Sequence, residues 1–102
     1  MIAIRQTEEY FSWFARLRDV EAKSRILIRI RRLSLGNPGD AKPVGYGVSE
    51  LRIKYGPGYR IYFKRSRGEE VVLLCAGDKS TQQADIKRAH ALAQRLEDGD
   101  GA

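Results

Sequence analysis

Glu50-Leu51-Arg52-Ile53-Lys54-Tyr55-Gly56-Pro57-Gly58-Tyr59-Arg60-Ile61-Tyr62-Phe63-Lys64 is the stretch on which the fold turns. Leu51, Ile53 and Tyr55 alternate with Glu50, Arg52 and Lys54; beyond the glycines, Tyr59, Ile61 and Phe63 alternate with Arg60, Tyr62 and Lys64. A period of two marks a strand with one buried face. Pro57 presets its own φ and Gly58 tolerates a positive one, so residues 56–58 read as a turn between two antiparallel strands. That loop sets Tyr55 opposite Tyr59, Ile53 opposite Ile61 and Leu51 opposite Phe63, and it pairs Lys54 with Arg60, Arg52 with Tyr62 and Glu50 with Lys64. The apolar side chains then share one face. The other face carries Arg52, Lys54, Arg60, Tyr62 and Lys64. Cations facing one another across strands repel, so stability alone does not favour this face. Cations interleaved with an aromatic ring suit single-stranded nucleic acid, where charge meets phosphate and the ring stacks on a base. The plainer reading is a solvated sheet face that resists aggregation.

Working outward, Ser66-Arg67-Gly68 reads as a second turn, and Val71-Val72-Leu73-Leu74-Cys75-Ala76 as a strand. This strand is apolar without alternation, which calls for cover on both faces, one from helices and the other from later parts of the chain or a partner. Ser80 with Gln83 matches a capping box opening a last helix, with Ile86, Ala89, Ala93 and Leu96 on its buried face. Upstream, residues 2–5 read as an opening strand. Thr7 caps a helix that begins Glu8-Glu9 and carries Tyr10, Phe14 and Leu17 at helical spacing, with Phe11 and Trp13 beside them. Asp19 caps a second helix over 20–35, with Ala22, Ile26, Ile30 and Leu33 inward and a basic stripe of Arg25, Arg29 and Arg32, a pattern that most often is a solvated helix face. Gly36 ends it, residues 37–40 form a loop, and Gly45-Tyr46-Gly47 reads as a bend before a strand. The order predicts an α+β domain: an N-terminal strand and helical hairpin packed on a small, mainly antiparallel curved sheet whose other face is partly open, then a C-terminal helix.

The 102 residues fit one domain over 1–96, with 97–102 as a disordered polar tail. Nineteen Lys and Arg against thirteen Asp and Glu give +6, and three of the acids (Glu97, Asp98 and Asp100) lie in the tail, so the body is more basic still. Such a body calls for a polyanionic partner: RNA, DNA, an acidic protein or a membrane surface. A single cysteine, Cys75, excludes an intrachain disulfide and suits a reducing compartment. The N-terminus lacks the apolar core of a secretory leader, and the longest apolar run is too short to span a bilayer, so the chain reads as cytoplasmic without a membrane role.

The remaining residues exclude several chemistries. One His and one Cys without ligand spacing do not make a zinc site, and neither GxxxxGK[ST] nor GxGxxG is present. No metal or cofactor is expected. His90 reads as an ordinary helical histidine and Cys75 as an inert buried thiol. Lys79, between the apolar strand and the last helix, adds one more cation, flanked by Asp78 and Asp85.

Together, the hairpin and the run Leu73-Leu74-Cys75-Ala76-Gly77-Asp78-Lys79-Ser80-Thr81-Gln82 resemble the addiction module killer branch of the RelE/ParE toxin superfamily, grouped with HigB-like proteins. Phe11, Trp13, Leu17-Arg18-Asp19, Arg25-Ile26, Gly36-Asn37, Asp40, Lys42 and Val44-Gly45-Tyr46-Gly47-Val48 agree with it, so the resemblance covers about residues 1 to 96.

The resemblance implies the toxin of a type II toxin–antitoxin pair. It implies either a metal-independent mRNA endonuclease acting in the ribosomal A site or a non-enzymatic inhibitor of DNA gyrase. An RNA-binding module without toxicity is a third reading of the residues. In the ribonuclease, Arg60 matches the arginine that stabilises the transition state, and Lys79 falls near a second basic position. Asp85 stands where RelE carries a functional tyrosine, a departure for which Tyr62, Glu50 or Asp85 itself would substitute. The expected catalytic set is Arg60, Lys79, Tyr62 and Asp85; the expected RNA contacts are Arg52, Lys54, Lys64, Arg25, Arg29 and Arg32. The expected partners are the ribosome and mRNA, and a cognate antitoxin, a helix-turn-helix protein from an adjacent gene.

Overall fold

The computed structural model describes residues 1–66 and 69–98. Among them β1 (Ala3–Gln6), α1 (Glu8–Arg16) and α2 (Val20–Ser34) precede β2 (Ala41–Gly45), β3 (Val48–Ile53), β4 (Tyr59–Ser66) and β5 (Glu70–Gly77). A 3-10 turn at Lys79–Thr81 leads into α3 (Gln82–Glu97). The strands form one five-stranded sheet in the order β1-β5-β4-β3-β2. It is antiparallel apart from β1, which runs parallel to β5 with Ile4 beside Val71. The fold is α+β, and no helix among the described residues is long and apolar enough to cross a membrane.

The two first helices begin where the sequence places their caps. The Thr7 hydroxyl accepts from the Tyr10 amide at 3.0 Å, and the Asp19 carboxylate from the Ala22 amide at 3.1 Å. Their apolar sides cover one face of the sheet, where Tyr10, Ile26 and Leu33 meet Leu51, Ile61, Phe63 and Leu73. The opposite face, expected to be partly open, is closed by α3: Ala89, Leu92 and Ala93 pack on Val48, Tyr62, Val72 and Leu74. Cover on both sides is why β5 lacks alternation.

Four local expectations change. The β3–β4 ladder pairs Ile53 with Tyr59, Arg52 with Arg60, Leu51 with Ile61 and Glu50 with Tyr62, two residues out of the expected register. The connection is longer than 56–58. Gly56 (φ 56°) and Pro57 are the central residues of a turn closed by the Gly58 amide on the Tyr55 carbonyl at 3.0 Å. Tyr55 leaves the ladder because its hydroxyl donates to Asp19 at 2.9 Å, and Arg25 sits over its ring. A slip of two keeps every side chain on its face, so the apolar pattern could not reveal it. Second, residues 41–45, before the expected bend, form an edge strand paired with β3. Proline within a strand is a feature of edges, and Pro43 lies in this one. Third, the cap before the last helix is Asp78: its carboxylate accepts from the Ser80 amide at 2.8 Å, and the Asp78 amide donates to the Thr81 hydroxyl at 3.3 Å. Fourth, Glu97 belongs to α3 instead of a disordered tail and receives Lys64 Nζ at 2.6 Å. Arg67 and Gly68 of the expected second turn, and residues 99–102, lie outside the described residues.

Arg29, expected on a basic binding stripe, ties α2 to the sheet edge. Its guanidinium donates to the carbonyls of Arg52, Pro38 and Asp40. These carbonyls come from two separate segments that only a planar fork reaches at once. Arg29→Ala is expected to cost about 2 kcal/mol in urea unfolding, the scale of charge-assisted hydrogen bonds. Arg29→Lys is expected to recover less than half of that loss.

Candidate nucleic-acid interface

The ladder pairing of Arg52 with Arg60 brings two arginines side by side at one end of the sheet. Lys54 extends from the end of β3, and Lys79 approaches from the turn after β5. With Asp40, Ile53 and Gly58 these side chains line a cleft of about 240 Å³. A second groove of about 440 Å³ runs on between β3 and α2, lined by Arg25, Ile28, Arg29 and Arg32. The two share Asp40, Arg52, Ile53 and Lys54 in their walls, so cleft and groove adjoin in one largely basic channel.

Arg60 is held from several sides. Its side chain is 13% exposed. Nη1 donates to the Gly58 carbonyl at 2.7 Å, and Nε lies 3.7 Å from Glu50 Oε2. Gly58 is required twice over: its φ is +80°, and a Cβ there would stand 3.1 Å from Arg60 Nη1 and 3.6 Å from Lys79 Cβ. Arg60 also helps hold the Asp78 carboxyl below its ordinary range, though the hydrogen bond from Ser80 contributes most.

Beneath the cleft lies Glu50, with no solvent exposure. Its Oε2 accepts from the Tyr62 hydroxyl at 3.0 Å and from Gln82 Nε2 at 2.8 Å. Its Oε1 and Arg60 Nε have no hydrogen-bond partner. Burial, and then the bond to Glu50, drive the Tyr62 hydroxyl far above the usual phenol range. Asp85 lies alongside on α3, where the Thr81 hydroxyl donates to its Oδ2 and Cys75 Sγ lies 3.6 Å from its carbonyl oxygen. Burial raises its carboxyl above the ordinary range. The carboxylate sits over Gly77, where a Cβ would overlap both Asp85 Oδ2 and Thr81 Oγ1.

Residues 12–97 match the family described as phage-derived protein Gp49-like (DUF891). The chain belongs to the Gp49-like family. That family is associated with the toxins of toxin–antitoxin systems, and such a toxin has an antitoxin partner. An uncharacterized protein of Haemophilus influenzae is 52% identical over 95 residues, covering 93% of this chain and 96% of its own length.

In the Gp49-like chain the expected site residues divide into three groups. Arg60, Lys79, Arg52 and Lys54 meet in the cleft, and Arg25, Arg29 and Arg32 line the groove that continues it. Arg29 is committed to carbonyls, Arg25 pairs with Glu21 at 2.9 Å, and Arg52 pairs with Asp40 at 2.8 Å. Tyr62 and Asp85 do not line the cleft: Tyr62 is sealed under α3, so its ring is not a platform for a base, and Asp85 is half-buried on α3. Lys64 is elsewhere, opposite Val48 and bound to Glu97. Sequence reasoning did not single out Gln82 as a partner of Glu50, or Gly77 as the floor beneath Asp85. Both lie in the Gly77–Gln82 stretch that carried the resemblance, which was the only signal for either. Among the described residues no group of three or more His, Cys, Asp or Glu is placed to hold a metal ion.

Burial sets the Cys75 thiol up to about 12, in keeping with an inert side chain. The contact over Gly77 gives a test of packing beside the cleft. Gly77→Ala is expected to cost about 1–3 kcal/mol, the usual range for overpacking. In an Asp85→Ala background the same change is expected to cost markedly less. Urea unfolding of the double-mutant cycle reads the coupling.

Proposed function

We propose that this chain is a type II toxin with a RelE/ParE-like fold that cleaves mRNA in the ribosomal A site. The observation that carries the reading is the convergence of Arg52, Lys54, Arg60 and Lys79 on one cleft with a basic groove leading from it. The element order, a strand and two helices before the antiparallel strands and a last helix, fits the fold that the resemblance implies.

The chemistry asked of such a cleft is limited. The ribose 2′-oxygen loses its proton and bonds to the adjacent phosphorus. The bond from phosphorus to the 5′-oxygen breaks, and that oxygen leaves with a proton, giving a 2′,3′-cyclic phosphate and a 5′-hydroxyl end. Negative charge builds on the phosphorane oxygens, and fixed cations stabilise it best where they need not reorganise. Arg60, braced by Gly58 and Glu50, meets that requirement, with Lys79 beside it. Arg52 and Lys54 lie where flanking phosphates would run. Of the residues considered for proton transfer, Glu50 and Tyr62 are fully buried, whereas Asp85 is half-buried.

Brief induction in a bacterium, followed by mapping of new mRNA 5′ ends, tests the reading. Discrete cuts within translated codons are expected. Arg60→Ala is expected to lower them by about a hundredfold, the scale of losing one preorganised transition-state donor. Arg60→Lys is expected to lower them less, because it keeps the charge without the planar fork. Growth arrest with intact mRNA would remove the nuclease and leave the gyrase inhibitor.

A further inference from the structure

α2 is apolar on two sides. Ala22, Ile26 and Leu33 are buried against the sheet. On the outside, Val20, Leu27, Ile28 and the capping Leu35 are 79, 55, 51 and 57% exposed. At helical spacing these four, with Ser24 and Arg31, fall on a single stripe opposite the core face. Fifteen helical residues give that stripe a length of roughly 22 Å. Single exposed apolar residues are ordinary, but four on one helix face, with only Ser24 and Arg31 between them, mark an interaction surface. Cations outnumber acids at its border: Arg31 lies within the stripe and Lys23 and Arg32 to either side, while the one acid beside it, Glu21, is paired with Arg25. At Ile28 the stripe meets the basic groove between α2 and β3, and so the approach to the Arg60 cleft.

Each class of occupant meets a different obstacle. A second copy of this chain would bring its own net +6 and set Arg31 and Arg32 against like charge. A strand of RNA has no aliphatic side for Leu27 and Leu35. An anionic membrane is too broad to follow the surface into the concave groove beside Ile28. A narrow protein segment that is apolar on one side and acidic on the other satisfies all three features.

We propose that the outer face of α2 and the groove beside Ile28 dock an acidic amphipathic segment of the antitoxin. Its apolar side lies on Val20, Leu27 and Leu35, and its carboxylates lie on the cations of the groove. The inference rests on the toxin reading above. It adds a mode of inhibition, because a segment so placed takes Arg32, Arg52 and Lys54 from the phosphates that would follow the same channel.

The test uses the full chain and the purified product of the adjacent gene as the probe. Val20→Ser, Leu27→Ser and Leu35→Ser are combined, since all three side chains are exposed and none lines the cleft or the groove. Binding is expected to weaken by about a hundredfold, as when several interface anchors are truncated. The circular dichroism of the variant, and its cleavage of translated mRNA in cells that lack the partner, are expected to be unchanged, while growth arrest escapes relief by the partner. Arg31→Glu, a separate variant, is expected to weaken binding and flatten its salt dependence. Undiminished binding by the triple variant would overturn the proposal, as would failure of the wild-type chain to bind the adjacent gene's product. A dimer of the wild-type chain that the triple variant dissolves would assign the stripe to a second copy. Stripe-dependent binding to vesicles of phosphatidylcholine and phosphatidylserine would assign it to a membrane. Cleavage of translated mRNA in cells that express the wild-type chain without the partner is scored separately: its absence would remove the nuclease reading while leaving the binding result intact.

Discussion

Glu50 carries a carboxylate into the space between the sheet and α3, and much of the molecule is arranged around keeping it there. A charge without water is held only by its neighbours. Tyr62 from β4 and Gln82 from α3 donate to one of its oxygens, while Arg60 from β4 supplies the opposite charge. The apolar contacts of Ala89, Leu92 and Ala93 would tolerate some sliding of α3 over the strands. Directed hydrogen bonds to a buried oxygen tolerate little, so Glu50 fixes where the helix sits. Arg60 belongs to this interior set and to the cleft at once. The field that the cleft presents is therefore set from below, by the group that registers α3 to the sheet.

The basic surface is not uniform. Arg29 spends its hydrogen bonds on backbone carbonyls, Arg25 on Glu21 and the face of Tyr55, and Arg52 on Asp40. These arginines shape the channel walls and keep their charge while doing so. Lys54 and Lys79 are exposed and form no ion pair among the described residues, which leaves them to meet an incoming anion. The channel therefore has hydrogen-bonded cations in its walls and exposed, unpaired ones beside them.

Most of the architecture was legible in the alternation at 50–64, the apolar run at 71–76 and the caps at Thr7 and Asp19, because each is a local rule that the tertiary structure keeps. The misses share a cause. The register of β3 on β4 depends on Tyr55 reaching Asp19, a contact across thirty-six residues of chain that no local pattern encodes. β2 is an edge strand with a proline, too weak in alternation to announce itself. Lys64 and Tyr62 sit on the predicted polar face, but α3 covers that face. Tyr62 is turned into core and Lys64 into a tether for the helix end. For the candidate site, the sequence located Arg60, Lys79, Arg52 and Lys54 by charge and resemblance, while Gln82 and Gly77 emerge only when α3 is placed.

One pairing bears on how the chain comes to be made. Among the described residues β1 is an edge strand partnered by β5, and they run parallel, with Ala3 beside Glu70 and Gln6 beside Leu73. Contacts so distant in sequence form slowly, because the loop between them must be closed first. During synthesis the first strand has nothing to pair with until residues beyond 70 have left the ribosome, and the face of β5 that α3 covers waits longer still. A domain built this way acquires its finished surface only after α3 has been translated, so the assembled channel depends on residues far downstream of the strand that opens the fold.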